Sequence, residues 1–168
     1  MKQLKSIVVF TIIFIMFLLP INTILAADIN TNDYNPDNIT TNSPSVILMD
    51  AKTGKILYSK NAFEQRFPAS TTKLMTAILT LENCELDDVA TVSHNSIFSI
   101  PVGYSHASLR ENEELTIEQL LNVLLIPSAN DAAIVLAEHI AGSVEDFAEM
   151  MNNKAKELGC LNTNFINP

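Results

Sequence analysis

Ser70 and Lys73, in the run Ser70-Thr-Thr-Lys73, are the pair in this chain best suited to nucleophilic chemistry. On a helix that spacing puts both side chains on one face, with Cβ atoms about 5–6 Å apart. A lysine amine so placed can reach the serine hydroxyl and take its proton, provided burial or neighbouring dipoles keep it neutral near pH 7. A serine on a first helical turn also sits among backbone N–H groups lacking intrahelical partners, which can hold a developing oxyanion. Alone the pattern is weak, since ordinary composition yields roughly 0.6 such pairs in a chain this long. A helix-capping serine followed by a solvated lysine would read the same way. The setting is more telling: Pro68-Ala-Ser-Thr-Thr-Lys73 opens an apolar helix, so both polar residues lie at the mouth of a core element.

Ser128-Ala-Asn130 is the second candidate, in a joint after Pro127 between two apolar helical runs. A hydroxyl and an amide there could face the first helix across a cleft. Ser128 could pass a proton to a leaving amine, and Asn130 could either bind a substrate carbonyl or orient Lys73. Simple helix capping is the competing explanation. Ser93-His-Asn95 has the same three-residue form but lies in a polar connection without flanking helices, and is read as coincidence. His94, His106 and His139 are scattered without ligand spacing, so neither a metal nor a cofactor is implied.

The elements that must position these groups follow from periodicity. Ser45–Asp50 and Lys55–Ser59 are apolar runs around Ala-Lys-Thr-Gly54, which predicts a β-hairpin with Gly54 supplying a positive φ. The segment from Ser70 to Glu82 is predicted helical, with Leu74, Ile78 and Leu81, joined by Met75 and Leu79, forming a buried face. Val89–Ser93 is a candidate strand in an otherwise mixed stretch. Thr116-Ile-Glu-Gln119 has the capping-box form, and Pro127 ends the helix it starts. A helix from Asp131 follows, then an amphipathic one capped by Ser143 that stops at Gly159. The fold class is mixed α/β (α+β): a hairpin first, a helical subdomain after it, and no strand to complete the sheet.

The chain begins with Lys2 and Lys5, runs apolar from Ile7 to Leu19, and reaches small residues at Ala26 and Ala27. This is the layout of a secretory signal peptide over residues 1–27, although an uncleaved N-terminal anchor would share it. Both place the remainder outside the cytoplasm, in the cell envelope. Residues 28–44 are rich in Asn, Asp, Thr and Pro and read as a disordered linker, leaving 45–168 as the folded domain. Of 10 basic and 19 acidic residues, the signal takes two lysines and no acid, so the mature chain carries −11. That excludes a nucleic-acid binder, which needs a basic face, and disfavours docking on an anionic membrane. No later membrane anchor is visible in this segment. Cys84 and Cys160 are either bridged or buried as free thiols.

Taken together, Ser70-Thr-Thr-Lys73 and Ser128-Ala-Asn130 resemble the first two motifs of the penicillin-interacting serine transferases. Asp50-Ala-Lys-Thr-Gly-Lys-Ile-Leu-Tyr58, Pro68-Ala-Ser-Thr-Thr-Lys-Leu-Met-Thr-Ala77 and Pro127-Ser-Ala-Asn-Asp-Ala-Ala133 look specifically like the D-alanyl-D-alanine carboxypeptidases among them. The resemblance covers residues 45–168 and implies a β-lactamase/transpeptidase-like fold. It implies that Ser70 is acylated by a peptidoglycan stem peptide ending in D-Ala-D-Ala, with release of the last D-Ala. Lys73 would be the general base, Ser128 the proton relay and Asn130 a substrate-binding residue; β-lactams would acylate the same serine.

The family's third motif, Lys-Thr-Gly, belongs on a later strand. Lys52-Thr-Gly54 precedes Ser70 and is read as a turn, so the true third motif is expected beyond Pro168 and the chain is expected to be a fragment. A class A β-lactamase shares the first two motifs but would carry Ser-Asp-Asn at the second. An inactive truncated exported relative is the non-enzymatic alternative.

Overall fold

The computed structural model describes residues 39–168. The expected signal peptide and the linker up to residue 38 lie outside the described residues. The chain divides into two compact units, one ending at Gln65 and one from Arg66 to Pro168.

In the first unit, β1 (Val46–Met49) and β2 (Ile56–Lys60) form the expected antiparallel hairpin. Val46 pairs with Lys60 and Leu48 with Tyr58, and the register shifts between Leu48 and Met49. Asp50 shapes the turn: its Oδ1 accepts from Thr53 Oγ1 at 2.7 Å, Thr53 N at 2.8 Å and Lys52 N at 3.2 Å. These bonds, that from the Thr53 hydroxyl first, hold the Asp50 carboxyl below its usual range. Gly54 N donates to Asp50 O, and Gly54 takes a φ of +71°, which a side chain would resist. Lys52-Thr-Gly54 is therefore occupied in turning the chain. Lys60 Nζ donates to the carbonyls of Ser43 at 2.9 Å and Thr41 at 3.3 Å, tying the preceding segment to β2.

The second unit opens with a 3₁₀ turn at Ala69–Thr71 and continues into α1 (Thr72–Asn83). Then follow β3 (Val89–Thr91), α2 (His94–Phe98), β4 (Glu114–Thr116), α3 (Ile117–Leu125), α4 (Asn130–Ala141) and α5 (Val144–Glu157). Side-chain caps start α3 and α5, whereas α1 and α4 begin without one. Thr116 Oγ1 accepts from Gln119 N at 3.2 Å while Gln119 Oε1 accepts from Thr116 N at 2.9 Å, the reciprocal capping box foreseen from the sequence. Ser143 Oγ accepts from Asp146 N at the start of α5. Glu145 and Asp146 in its first turn, with Lys154 and Lys156 in its last, match the helix dipole.

The core forms around α4, which packs against α1, α2, α3, α5 and β3. Its buried Ala132, Ala133 and Ala137 let those neighbours approach closely. One apolar cluster joins Ala77, Val92, Ile117, Leu120, Leu124 and Leu136. A second joins Met75, Leu79, Ala137, Phe147, Met151 and Ala155. Lys154 Nζ bridges to Glu82 Oε1 at 2.8 Å, linking α5 to α1.

The buried face of α1 differs from expectation. Met75, Thr76, Ala77, Leu79 and Thr80 are buried, whereas Leu74 and Leu81 are each 59 % exposed and Ile78 is 40 % exposed. Half of the helix is polar, and Lys73, Thr76 and Thr80 share the side opposite Leu74, Ile78 and Leu81, so the apolar periodicity points away from the side that is buried. Packing chooses the face with Ala77 and two threonines, where α4 comes close; Thr80 Oγ1 satisfies itself on Thr76 O at 2.8 Å. The strand at residue 89 stops at Thr91 and pairs with β4, which sequence reading missed because each is only three residues long. Ser93 does precede a helix: its Oγ caps α2 through Ser96 N and donates to Glu138 Oε2 at 2.5 Å. Asn95 Nδ2 reaches the other oxygen of Glu138 at 2.7 Å, so this second Ser-x-Asn fastens α2 onto α4. Cys84 and Cys160 are both free, Cys84 partly buried and Cys160 exposed.

Candidate active site

Ser70 lies on the 3₁₀ turn, one residue before the N-cap of α1. Ala69 before it has a φ of +47°, an unusual value for a residue with a Cβ, and Ser70 is exposed. The amides just after it are partly spent within the turn: Thr71 N donates to Pro68 O and Thr72 N to Ala69 O. A free first helical turn around the serine, as expected from the sequence, is thus only partly available.

Lys73 enters the protein. It is only 6 % exposed, and its Nζ donates to Asn130 Oδ1 at 2.9 Å. Burial pushes its amine below the ordinary lysine range, because the charged form loses hydration that one neutral acceptor does not replace. Among the described residues no ion pair holds Lys73 in the protonated state. A base suited to taking a hydroxyl proton needs this poise.

Asn130 is fixed from the opposite side. Its Nδ2 donates to Ser105 O at 2.7 Å and its backbone N to the same oxygen at 3.0 Å. Ser105 Oγ donates in turn to Pro127 O at 2.6 Å. A carbonyl oxygen can only accept, so Ser105 O selects the amide orientation that gives it Nδ2 and turns Oδ1 toward Lys73. Of the two roles open to Asn130 from the sequence, orienting Lys73 is the one made in the unliganded site.

Ser70, Lys73 and Asn130 line one cleft of about 690 Å³, with Phe67, Tyr104, Ser105 and the segment Asn164–Pro168 along its walls. Ser128 stands apart: it is not among the cleft-lining residues, its φ is +62°, and its Oγ is buried without a hydrogen-bond partner. Such a hydroxyl is costly to leave unpaired, and the positive φ stores strain beside the site. Sequence reasoning missed the wall residues. Asn152 on α5 holds the segment at Phe165 by both amide atoms: Phe165 N donates to Oδ1 at 2.7 Å and Nδ2 to Phe165 O at 2.8 Å. No group of three or more His, Cys, Asp or Glu side chains suited to a metal is found among the described residues.

Residues 30–168 match the D-alanyl-D-alanine carboxypeptidase family. The chain belongs to that family. It is 42 % identical over 130 residues to the D-alanyl-D-alanine carboxypeptidase DacF of Bacillus subtilis, covering 74 % of this chain and 32 % of that protein. The crystal structure of the D-alanyl-D-alanine carboxypeptidase DacD of Francisella tularensis superposes with a TM-score of 0.72 at 35 % identity, over 80 % of this chain and 33 % of that one. Penicillin binding protein 6B of Escherichia coli does so with a TM-score of 0.68 at 32 % identity, over 80 % and 47 %. The carboxypeptidase-family chain described here therefore spans about a third of the length of the curated relatives it matches. Its fold is that of the penicillin-binding proteins, as the motifs led one to expect.

Proposed function

We propose that the protein is a serine-type D-Ala-D-Ala carboxypeptidase of the bacterial cell envelope, acting through a Ser70 acyl-enzyme. The observation that carries the reading is the buried Lys73 amine, held by Asn130 at 2.9 Å and opening with the exposed Ser70 onto one cleft. Lys73 Nζ takes the Ser70 Oγ proton as Oγ attacks the carbonyl of the penultimate D-Ala. The tetrahedral intermediate collapses as the terminal D-Ala amine leaves with a proton passed on by Ser128, and water then hydrolyses the ester. Asn130 both holds Lys73 and binds the substrate. Ser128 fills its relay role once substrate or side-chain movement gives its unpaired Oγ a partner. β-Lactams, which mimic the dipeptide, acylate the same serine.

The proposed organisation is a signal peptide over residues 1–27, a linker to residue 44 and the catalytic domain from 45. The substrate is the peptidoglycan stem peptide, reached after export. A formal charge of −9 for the whole chain is unsuited to nucleic acid. No helix among the described residues is long and apolar enough to cross a membrane. Ser128-Ala-Asn130 in place of Ser-Asp-Asn, together with the family match, favours the carboxypeptidase over a β-lactamase.

The test is the intact mass of the protein after incubation with a penicillin. A stable adduct mapped to Ser70 supports the reading. An adduct unchanged in Ser70→Ala refutes the nucleophile, rapid turnover without an adduct points to a β-lactamase, and a folded protein that ignores β-lactams points to an inactive relative.

A further inference from the structure

We infer that Asp131 is a positioning residue for the active site, setting the side-chain orientation of Asn130 through the segment Ser105–Leu109. The inference rests on the reading of Ser70 and Lys73 as nucleophile and base. Asp131 is 2 % exposed, a depth at which carboxylates are rarely found without strong partners. Among the described residues it makes no ion pair. Its oxygens instead collect backbone N–H groups: Ala107 N at 3.0 Å from both, Leu109 N at 3.2 Å from Oδ2, and Ala132 N at 3.0 Å from Oδ1. The first turn of α4 adds its positive dipole end.

Ala107 and Leu109 converge on one carboxylate because Ser108 between them adopts a φ of +60°. A serine holds that conformation only where its surroundings impose it. Asp131 supplies the imposing contact. The segment so pinned presents Ser105 O to Asn130 N and Nδ2, and Ser105 Oγ locks to Pro127 O. Ser105 O is what prevents the Asn130 amide from turning over and offering N–H groups to Lys73 Nζ. A chain of direct contacts thus runs from Asp131 through the 105–109 backbone to Asn130 Oδ1 and Lys73.

In the full-length protein, Asp131→Asn replaces one acceptor with an amide NH₂ that faces N–H groups. Two readouts test the inference. By NMR, the Ala107 and Leu109 amides should exchange at least tenfold faster. The Asn130 side-chain amide should move from an ordered state to an order parameter below about 0.6, while Leu120 and Leu124 amides keep their protection. In penicillin acylation, with the adduct amplitude reporting the folded fraction, the rate constant should fall tenfold or more. In an Asn130→Ala background the same substitution should change it less than twofold. An unmoved Asn130 amide beside freed Ala107 and Leu109 amides overturns the inference, as does an equal slowing in both backgrounds. Should Asp131→Asn not fold, Asp131→Glu, which keeps the charge but moves both oxygens by a methylene, must free the Ala107 and Leu109 amides and loosen the Asn130 amide; an unmoved Asn130 amide beside freed backbone amides then overturns it. Absence of any adduct in the unaltered protein would refute the Ser70 reading alone, and the NMR readout would still decide the role of Asp131.

Discussion

Asn152→Ala should release one wall of the cleft without unfolding the domain. Asn152 makes two bonds to the Phe165 backbone, at 2.7 and 2.8 Å, and Asn164 to Pro168 line the cleft beside Ser70 and Lys73. Each bond contributes about 0.5–1.5 kcal/mol net, and Phe165 is partly buried, so water recovers some of what is lost. The total is therefore about 1–3 kcal/mol, which corresponds to about 5- to 150-fold faster amide exchange at Phe165. Phe165 also packs against the cluster of Phe147 and Met151, so the strip should loosen while those residues hold. The assay is hydrogen exchange at Phe165 against the Leu120 and Leu124 amides, in parallel with the penicillin acylation rate. Asn152→Asp is the internal control, since it keeps an acceptor for Phe165 N and loses only the Nδ2 donor. Unchanged Phe165 exchange in Asn152→Ala would refute the strap. Equal acceleration at every amide would show instead that Asn152 supports the whole fold.

Three further outcomes follow from the same geometry. Lys73→Ala should slow acylation about 10²- to 10⁴-fold with little change in the adduct's identity, and in the unaltered protein the rate should rise with pH through an acid limb whose midpoint lies below 10.5; a pH-independent rate would count against Lys73 as base. Lys73→Met should be inactive yet more stable than its parent by about 1 kcal/mol at pH 7 in urea unfolding. Because burial depresses the folded amine below its unfolded value, the folded state binds fewer protons between the two, so parent stability rises with pH across that window. The gain from Lys73→Met should accordingly shrink as pH approaches 10.5, and a variant less stable at pH 7 would contradict this. Phe147→Ala, deleting a side chain that is 0 % exposed, should cost about 3–5 kcal/mol in the same unfolding assay.

Elements whose boundaries are written in local chemistry were legible beforehand. The Gly54 hairpin, the Thr116–Gln119 capping box, the Pro127 joint and the Ser143 cap each rest on contacts within a few residues. What depends on distant partners was not. Leu74, Ile78 and Leu81 are as apolar as Met75 and Leu79, and only the position of α4 decides which set is covered. The pairing of β3 with β4 joins two strands of three residues separated by 22 residues, too short for either alternation to register. Ser93-x-Asn95 and Ser128-x-Asn130 are equivalent as strings. Glu138, 43 residues away from Asn95, occupies the first, whereas the second keeps its amide oxygen for Lys73.

That last contrast shows how a site differs from its motif. Ser70, Lys73, Ser128 and Asn130 could be named from residue type and spacing, but their states are set by groups no motif contains. A backbone carbonyl at Ser105 decides which end of the Asn130 amide meets Lys73. A carboxylate at Asp131 holds that carbonyl's segment, and an amide at Asn152 holds the facing wall. All three act through backbone N–H and C=O groups, which every residue carries and which leave no trace in composition or periodicity. Ser128 is the converse case: the motif names it, yet its Oγ is buried and unpaired. Such a hydroxyl is stabilised by any partner that substrate or side-chain movement brings to it, and the relay role proposed for Ser128 requires that gain.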